Sequence, residues 1–183
     1  MKPNEKFAVP SSFYHSLYYD KQSIISLDCE LKEQQIKRLL KEFPFIFDIL
    51  EEVGDKFPKP WEDRNQMIPI LLESWSETSD MLSNLFKRRV RNETRGPMLQ
   101  SISLYIQFLY WVNEQAVPGL QNIVSDMLKL EYTPINIEER MAFILSRPDS
   151  YHAYIQVSQL FEEGKKYFYK QNAVLKYQNI DQQ

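Results

Sequence analysis

Cysteine, histidine and glycine are scarce in this chain of 183 residues, which contains one Cys, two His and four Gly. A lone cysteine, Cys29, cannot form an intramolecular disulfide, so it fits a reducing compartment, and we expect it to be a small core residue. The two histidines, His15 and His152, lie far apart and have no zinc-ligand spacing around them, so we predict no metal site. The sequence also lacks a glycine-rich phosphate loop and a GxSxG nucleophile motif. We therefore predict no cofactor and assign no catalytic residue.

Long hydrophobic runs are also missing. The most apolar segment spans residues 98–112, and Ser101, Ser103 and Gln107 interrupt it. Its length is that of a buried core helix and falls short of a comfortable bilayer span. The first fifteen residues lack the apolar stretch of a signal peptide. These features predict a protein without membrane insertion and with a cytoplasmic location.

Aromatic residues are abundant, with 11 Phe, 11 Tyr and 3 Trp, and they argue against intrinsic disorder. The shortage of glycine and the many Leu, Ile, Glu, Lys and Gln residues favour helices. We predict one all-α domain over residues 1–183, a bundle of six to eight helices. Residues 1–28 form an aromatic-rich segment expected to pack on the bundle, and residues 176–183 are expected to fray.

Proline, glycine and apolar periodicity set the expected helix boundaries. Pro69 suits the first turn of a long helix, Gly54 suits a helix end, and Thr94 is placed to cap the helix that begins near Pro97. The segment 97–113 is apolar nearly all round and is therefore predicted to be the central helix. The predicted helices cover residues 28–42, 44–53, 68–90, 97–113, 120–130, 137–146 and 150–175.

The stretch from Thr133 to Phe161 carries the clearest helix signals. Asn136 is predicted to be an N-cap, with Glu139 reaching back to it as in a capping box. Pro148 cannot continue the helix that follows, so residues 147–148 are predicted to form a tight corner. The next helix has a buried stripe predicted to consist of Ala153, Val157, Leu160, Phe161, Gly164, Phe168 and Leu175.

The best candidate for a binding site is a basic run in an acidic protein whose net charge is −3. Residues 87–95 hold five cations and one anion, whereas residues 61–86 hold one cation and five anions. Arginines bind phosphate through paired hydrogen bonds, so the run is a candidate site for an anion, a nucleic acid or an acidic partner. Solvated helix-end charge or intramolecular pairing is the simpler interpretation, because cations stabilise the last turn of a helix. The candidate residues are Lys87, Arg88, Arg89, Arg91 and Arg95.

A second group of polar residues, Arg147, Tyr151, His152 and Gln156, flanks the predicted corner. A structural role, in which these side chains bond to loop carbonyls or to acids of neighbouring helices, is the simpler interpretation. An enzyme pocket around Arg147, Tyr151 and His152 is the alternative. The aromatic and lysine residues of 165–177 also have two interpretations. An amphipathic helix with lysine stems over aromatic core residues is preferred to a surface on which nucleic-acid bases stack.

Three parts of the sequence resemble the YpoC-like family of Bacillus-type Gram-positive bacteria. They are residues 134–166 (PINIEERMAFILSRPDSYHAYIQVSQLFEEGKK), residues 108–120 (FLYWVNEQAVPGL), and KPWED with IPILLESW at 59–63 and 68–75. The resemblance implies a small helical cytoplasmic bacterial protein and transfers no activity or catalytic residue. Genes of this family lie near replication and DNA-repair genes, which slightly favours a nucleic-acid or replication partner.

We predict a non-enzymatic interaction or adaptor protein that presents a helical surface to another protein. A nucleic-acid-associated accessory factor that uses the basic run is the alternative, and an enzyme with an unrecognised pocket is a weaker one. A flat exposed apolar patch favours a protein partner, and a concave open pocket near His152 favours an enzyme. A positive face continuous with Lys165, Lys166 and Lys170 favours nucleic acid.

Overall fold

The structure, a computed structural model, describes residues 5–27, 35–54 and 57–180. Over these residues the chain forms seven α-helices and one two-stranded antiparallel sheet. The predicted helical bundle is therefore confirmed, and the small sheet in the aromatic-rich N-terminal segment was not predicted. The elements are β1 (Glu5–Ala8), β2 (Ile24–Leu27), α1 (Ile36–Glu42), α2 (Ile46–Val53), α3 (Arg64–Lys87), α4 (Arg95–Val112), α5 (Ile123–Met127), α6 (Ile137–Ser146) and α7 (Tyr151–Ile180).

Helix α4 is the centre of the bundle. Every residue from Ser101 to Val112 is buried, as expected for a helix that is apolar on nearly all sides. Helices α3 and α7 pack on α4, while α6 packs against α5 and α7. The rings of Phe161 and Trp75 stack 4.3 Å apart between α7 and α3. The three longest helices thus share one aromatic core.

Helix α3 begins at Arg64, one turn before the predicted start near Pro69. Pro69 lies inside the helix and is exposed. Its missing N–H leaves the carbonyl of Asn65 without the usual helical partner, but Asn65 is also exposed, so water can replace that bond. Helix α5 is shorter than the predicted 120–130 helix and covers only Ile123–Met127.

The predicted corner between α6 and α7 is confirmed, and Gly54 ends α2 in the left-handed conformation expected of a helix end. Asn136 and Thr94 occupy the N-cap positions of α6 and α4, but their predicted side-chain capping is wrong. Asn136 has a φ of 57°, in the left-handed region, and its side chain makes no capping bond. Thr94 also makes no capping bond, and its hydroxyl donates to the Asp149 carbonyl at 3.4 Å. Ser150 is the residue that caps α7, because its Oγ accepts the N–H of Ala153 at 3.1 Å.

The predicted buried stripe of α7 is confirmed over its described positions. Ala153, Val157, Leu160, Phe161 and Phe168 have at most 1% exposure, and Gly164 is also buried. The Leu175 side chain, Cys29 and the predicted helix start at residue 28 lie outside the described residues. Helix α7 continues to Ile180, past the end expected near residue 175.

The N-terminal segment contacts the helices through specific hydrogen bonds. The hydroxyl of Tyr18 donates to the Leu99 carbonyl at 3.0 Å, and that of Tyr19 donates to the Pro44 carbonyl at 2.8 Å. The N–H of Leu120 donates to the Ser12 carbonyl at 2.8 Å. Among the helices that the structure describes, none has both the length and the hydropathy of a membrane span.

Candidate binding cleft

An open cleft lies where the end of α3 meets the beginning of α7. It has a volume of about 960 Å³. The α3 side contains the last residues of the helix and its C-terminal turn, and the α7 side contains the corner after Pro148. The lining residues are Ser83, Phe86, Lys87, Arg89, Asp149, Ser150, Tyr151, His152 and Tyr154.

The wall of the cleft is aromatic. Phe86 stacks on Tyr154 with ring centroids 5.4 Å apart and meets Tyr151 edge to face at 5.3 Å. The Tyr154 hydroxyl is held by Ser79, whose Oγ lies 3.2 Å away. Tyr151 has no such anchor among the described hydrogen bonds and is 53% exposed. The cleft therefore presents an apolar ring surface to solvent.

The geometry of the α3 C-terminus positions Arg89. Its φ of 60° lies in the left-handed region, which is favoured by glycine and uncommon for arginine. The N–H of Arg89 donates to the Phe86 carbonyl at 3.1 Å, and that of Val90 donates to the Leu85 carbonyl at 3.0 Å. These bonds resemble a Schellman ending, in which Arg89 occupies the usual glycine position.

Two cations of the cleft have no anionic partner within the described part of the chain. Lys87 and Arg89 are exposed, and neither forms an ion pair with a described residue. The only carboxylate of the lining, Asp149, has Arg95 3.9 Å away as a counter-ion. The lining therefore has excess positive charge beside an apolar wall, an arrangement suited to an anionic group with an apolar neighbour.

The structure thus joins two groups of residues that the sequence presented separately. Lys87 and Arg89 of the basic run share the cleft with Tyr151 and His152 of the polar group. Arg95 lies beside the cleft through its pairing with Asp149. Of the remaining residues of the basic run, Arg88 is exposed and does not line the cleft, and the Arg91 side chain lies outside the described residues.

The polar group does not form one network. Gln156 points to a different neighbour, since its Oε1 accepts the Arg140 Nε–H at 2.9 Å. Arg140 also bonds both carboxylate oxygens of Glu163 at 3.0 Å, which ties α6 to α7. Arg147 and His152 are exposed. Among these four residues, therefore, only Gln156 has a side-chain hydrogen bond to a described residue of the kind that a structural role requires.

The predicted lysine and aromatic surface of α7 is partly used inside the fold. Tyr167 stacks on Tyr132 with ring centroids 3.6 Å apart, which leaves little of its face for a ligand. Lys165 pairs with Glu162 at 2.9 Å. Lys166 and Lys170 are exposed. They lie 15 and 19 residues after Tyr151 on the same helix, which at 1.5 Å per residue is roughly 20–30 Å from the cleft.

One buried acid was missed by the sequence interpretation. Asp48 is 1% exposed and accepts the Val117 N–H at 2.7 Å. Its position in the apolar segment IFDIL was the available signal, because an acid flanked by large apolar residues in a short helix faces the core. Across the described ranges, no group of three or more His, Cys, Asp or Glu side chains has the arrangement of a metal site.

The sequence model of the YpoC-like protein family matches residues 65–176. The chain belongs to the YpoC-like family. One relative is the protein of Bacillus subtilis (strain 168) named "Uncharacterized protein YpoC", which is 34% identical over 142 residues. That alignment covers 76% of this chain and 84% of the relative. No solved structure matches the chain significantly. The family match includes the whole cleft, from Ser83 to Tyr154.

Proposed function

We propose that this protein is a non-enzymatic interaction protein of the bacterial cytoplasm, which binds a segment of another protein in the cleft between α3 and α7. The observation that carries this proposal is the exposed ring of Tyr151 beside two cations without described partners. Exposed aromatic and arginine side chains in a concave site are the residues that most often dominate protein–protein binding energy. A flat exposed apolar patch was the feature named as favouring a protein partner, and the exposed ring of Tyr151 in a concave cleft supports the proposal in its place.

A nucleic-acid partner is the alternative that the basic run favours. Backbone binding to nucleic acid requires a row of cations that follows the phosphates. Here Lys87 and Arg89, at the end of α3, lie beside the first turn of α7. Lys166 and Lys170 lie roughly 20–30 Å further along α7. Helix α7 carries the acidic Glu162 and Glu163 between them. This separation supports a compact peptide site over a long polyanion track.

A concave pocket beside His152 is also what an enzyme would require. Catalysis by a serine or histidine requires a nucleophile and a base within hydrogen-bond reach. No described hydrogen bond joins His152 to Ser83 or Ser150, and Ser150 Oγ already accepts the Ala153 N–H. These contacts support a binding role for the lining.

Site-specific photo-crosslinking in a native-like bacterial host tests the proposal. A benzophenone amino acid replaces Tyr151 in one variant and Tyr169 in a matched control. Both are exposed tyrosines of α7, at 53% and 55%. Tyr151 is the first residue of the helix, whereas Tyr169 lies in its second half, away from the cleft. We expect the Tyr151 variant to give a discrete protein adduct that survives nuclease treatment and that the Tyr169 variant does not form.

Three results would contradict the proposal. The same adducts at both positions would show non-specific contact, and an absence of adducts at Tyr151 would leave the cleft without a protein partner. An adduct that disappears with nuclease would show that the cleft binds nucleic acid. Mass spectrometry of a nuclease-resistant adduct identifies the crosslinked segment as well as the partner.

A further inference from the structure

Building on the proposed function, we propose that the segment bound in the cleft is an acidic peptide stretch with a large apolar or aromatic residue beside its carboxylates. Lys87 and Arg89 receive the carboxylates, and the Phe86–Tyr151 rings receive the apolar side chain. The proposal rests on the charge and the shape of one site whose lining combines both features.

The backbone at Arg89 is unfavourable for an arginine. A left-handed conformation is less favourable for a residue with a Cβ than for glycine. Within the described residues no ion pair of the Arg89 guanidinium offsets that cost. The five N–H donors of this side chain therefore remain available to a carboxylate, which arginine binds with two parallel hydrogen bonds.

The second cation lies on the adjacent part of the same wall. Lys87 is the last residue of α3, where a positive charge also complements the helix dipole. Asp149, the acid across the cleft, is beside Arg95 at 3.9 Å, so its repulsion of an incoming carboxylate is reduced. The cleft is thus locally positive in a protein of net charge −3.

Charge on the rest of the surface makes this site selective. Residues 61–86 and 96–164, which lead into and away from the basic run, hold thirteen acids and four bases. An acidic segment is repelled by most of that surface and attracted at the cleft, which sets its position and orientation. A basic segment would instead bind in many places.

The apolar requirement follows from the rings. Tyr151 is 53% exposed and lies edge to face with Phe86 at 5.3 Å, which forms an open step of aromatic surface. A phenylalanine, tyrosine or leucine side chain placed on this step buries apolar area on both partners. A segment with carboxylates but without an apolar side chain would leave the aromatic surface of Tyr151 and Phe86 exposed to water.

Selection from a phage-displayed library of random twelve-residue peptides on the purified full-length protein tests the inference. We expect enriched peptides to have two or more acids near an aromatic or large aliphatic residue. Their binding is then measured by fluorescence anisotropy with labelled synthetic copies. Replacement of the acids by their amides should weaken binding at least tenfold, and binding should weaken as salt rises.

The double variant Lys87→Gln, Arg89→Gly removes both cations. Glycine is chosen because it suits the left-handed φ of Arg89, so we expect thermal stability at least equal to that of the original protein. The peptide affinity should fall at least tenfold. The control Lys166→Gln, Lys170→Gln removes the same charge from exposed positions of α7 far from the cleft, and should change affinity less than twofold.

Enriched peptides without acids, equal loss in the control variant, or the absence of any enrichment over the double variant would overturn the inference. Cleft-dependent binding of a labelled single-stranded oligonucleotide in place of peptides would also overturn it. A Tyr151 protein adduct combined with non-acidic peptides leaves the proposed function standing and rejects only the acidic segment. Acidic peptides that bind the cleft without any Tyr151 adduct in cells reject the proposed function instead.

Discussion

The carboxylate of Asp48 in α2 accepts a 2.7 Å hydrogen bond from the backbone N–H of Val117, in the turn that follows α4. Trp111 Nε1 lies 3.5 Å from the same oxygen, and Oδ2 has no partner among the described residues. Burial raises the pKa of Asp48 to about 7, although both hydrogen bonds favour the ionised form. One acid thus links α2 to the central helix and to its exit turn.

We expect Asp48 to make the protein less stable as pH rises from about 4 to about 7. The pKa of an ordinary Asp is 3.8, and that of buried Asp48 is about 7. Between these values the folded state holds a proton that the unfolded state has released, so the free energy of unfolding decreases with rising pH. The stability that Asp48 contributes is fully present below its unfolded pKa of 3.8 and is lost above its folded pKa of about 7. Urea denaturation at several pH values measures it.

Comparison with Asp48→Asn isolates this effect from other titrating groups, such as Glu77, whose pKa the lysines Lys37 and Lys41 lower to about 2. The Asp48→Asn variant keeps an acceptor for the Val117 N–H and has no charge to desolvate. We expect its advantage over the original protein to grow from pH 5 to pH 8. Asp48→Ala should be destabilised at every pH, because it leaves the Val117 N–H unpaired. A constant difference in stability between the original protein and the Asp48→Asn variant across this range would contradict the assignment.

Gly164 is a contact point between α7 and α4. A Cβ at this position would lie 2.4 Å from Cε1 of Phe108, a fully buried ring. Gly164→Ala should therefore destabilise the protein by about 1–3 kcal/mol through overpacking, despite the higher helix propensity of alanine. Gly96→Ala is the matched control, since Gly96 is also helical and a Cβ added there would meet no atom within 4 Å apart from its chain neighbours and the nearby backbone of its own helix. We expect the control to be neutral or stabilised in thermal and urea unfolding.

The aromatic core should be most sensitive at Phe161. Its ring stacks on Trp75 at 4.3 Å and contacts Tyr105 at 5.3 Å and Phe108 at 5.5 Å. Phe161→Ala should reduce the free energy of unfolding by about 3–5 kcal/mol, and Leu109→Ala by about 2–5 kcal/mol. Tyr169→Ala, at a site that is 55% exposed, should change it by less than about 0.5 kcal/mol. A loss below that level at Leu109 or Phe161 would show that the core assignment is wrong.

Asn113 joins the end of α4 to the loop before α6. Its Nδ2 donates to the Leu109 carbonyl at 2.7 Å and to the Tyr132 carbonyl at 3.0 Å, while its Oδ1 accepts the Tyr132 N–H at 2.8 Å. Asn113→Ala should destabilise the protein by about 1–3 kcal/mol, because it leaves backbone groups on both sides of this contact unpaired. Asn113→Asp keeps the acceptor and loses both donors, so hydrogen exchange at the Tyr132 amide should distinguish the two variants.

Local patterning was enough to predict most of the helices. The apolar stripe of α7 follows from the spacing of side chains along one helix, which depends only on helix geometry. The corner follows from the ring and the missing N–H of Pro148. The predictions of side-chain capping at Thr94 and Asn136 failed, because such a bond depends on the conformation of the turn before the helix. Asn136 was expected to cap α6, but its backbone adopts a left-handed turn that leaves its side chain without a capping bond. The position of Pro69 inside α3 depended on the exposure of Asn65, which sequence alone does not reveal.

The sequence by itself determined the helical class and the central position of residues 97–113, because composition and period are local properties of the chain. It also supplied four of the nine lining residues of the cleft as candidates. Only the tertiary structure decided that Lys87 and Arg89 lie beside Tyr151 and His152. These pairs are more than sixty residues apart, and their meeting depends on how α3 and α7 pack on α4. Contacts between other elements buried Asp48 of α2 and turned Gln156 of α7 toward Arg140 of α6. Burial and long-range pairing arise from the arrangement of whole helices, which no short stretch of sequence contains.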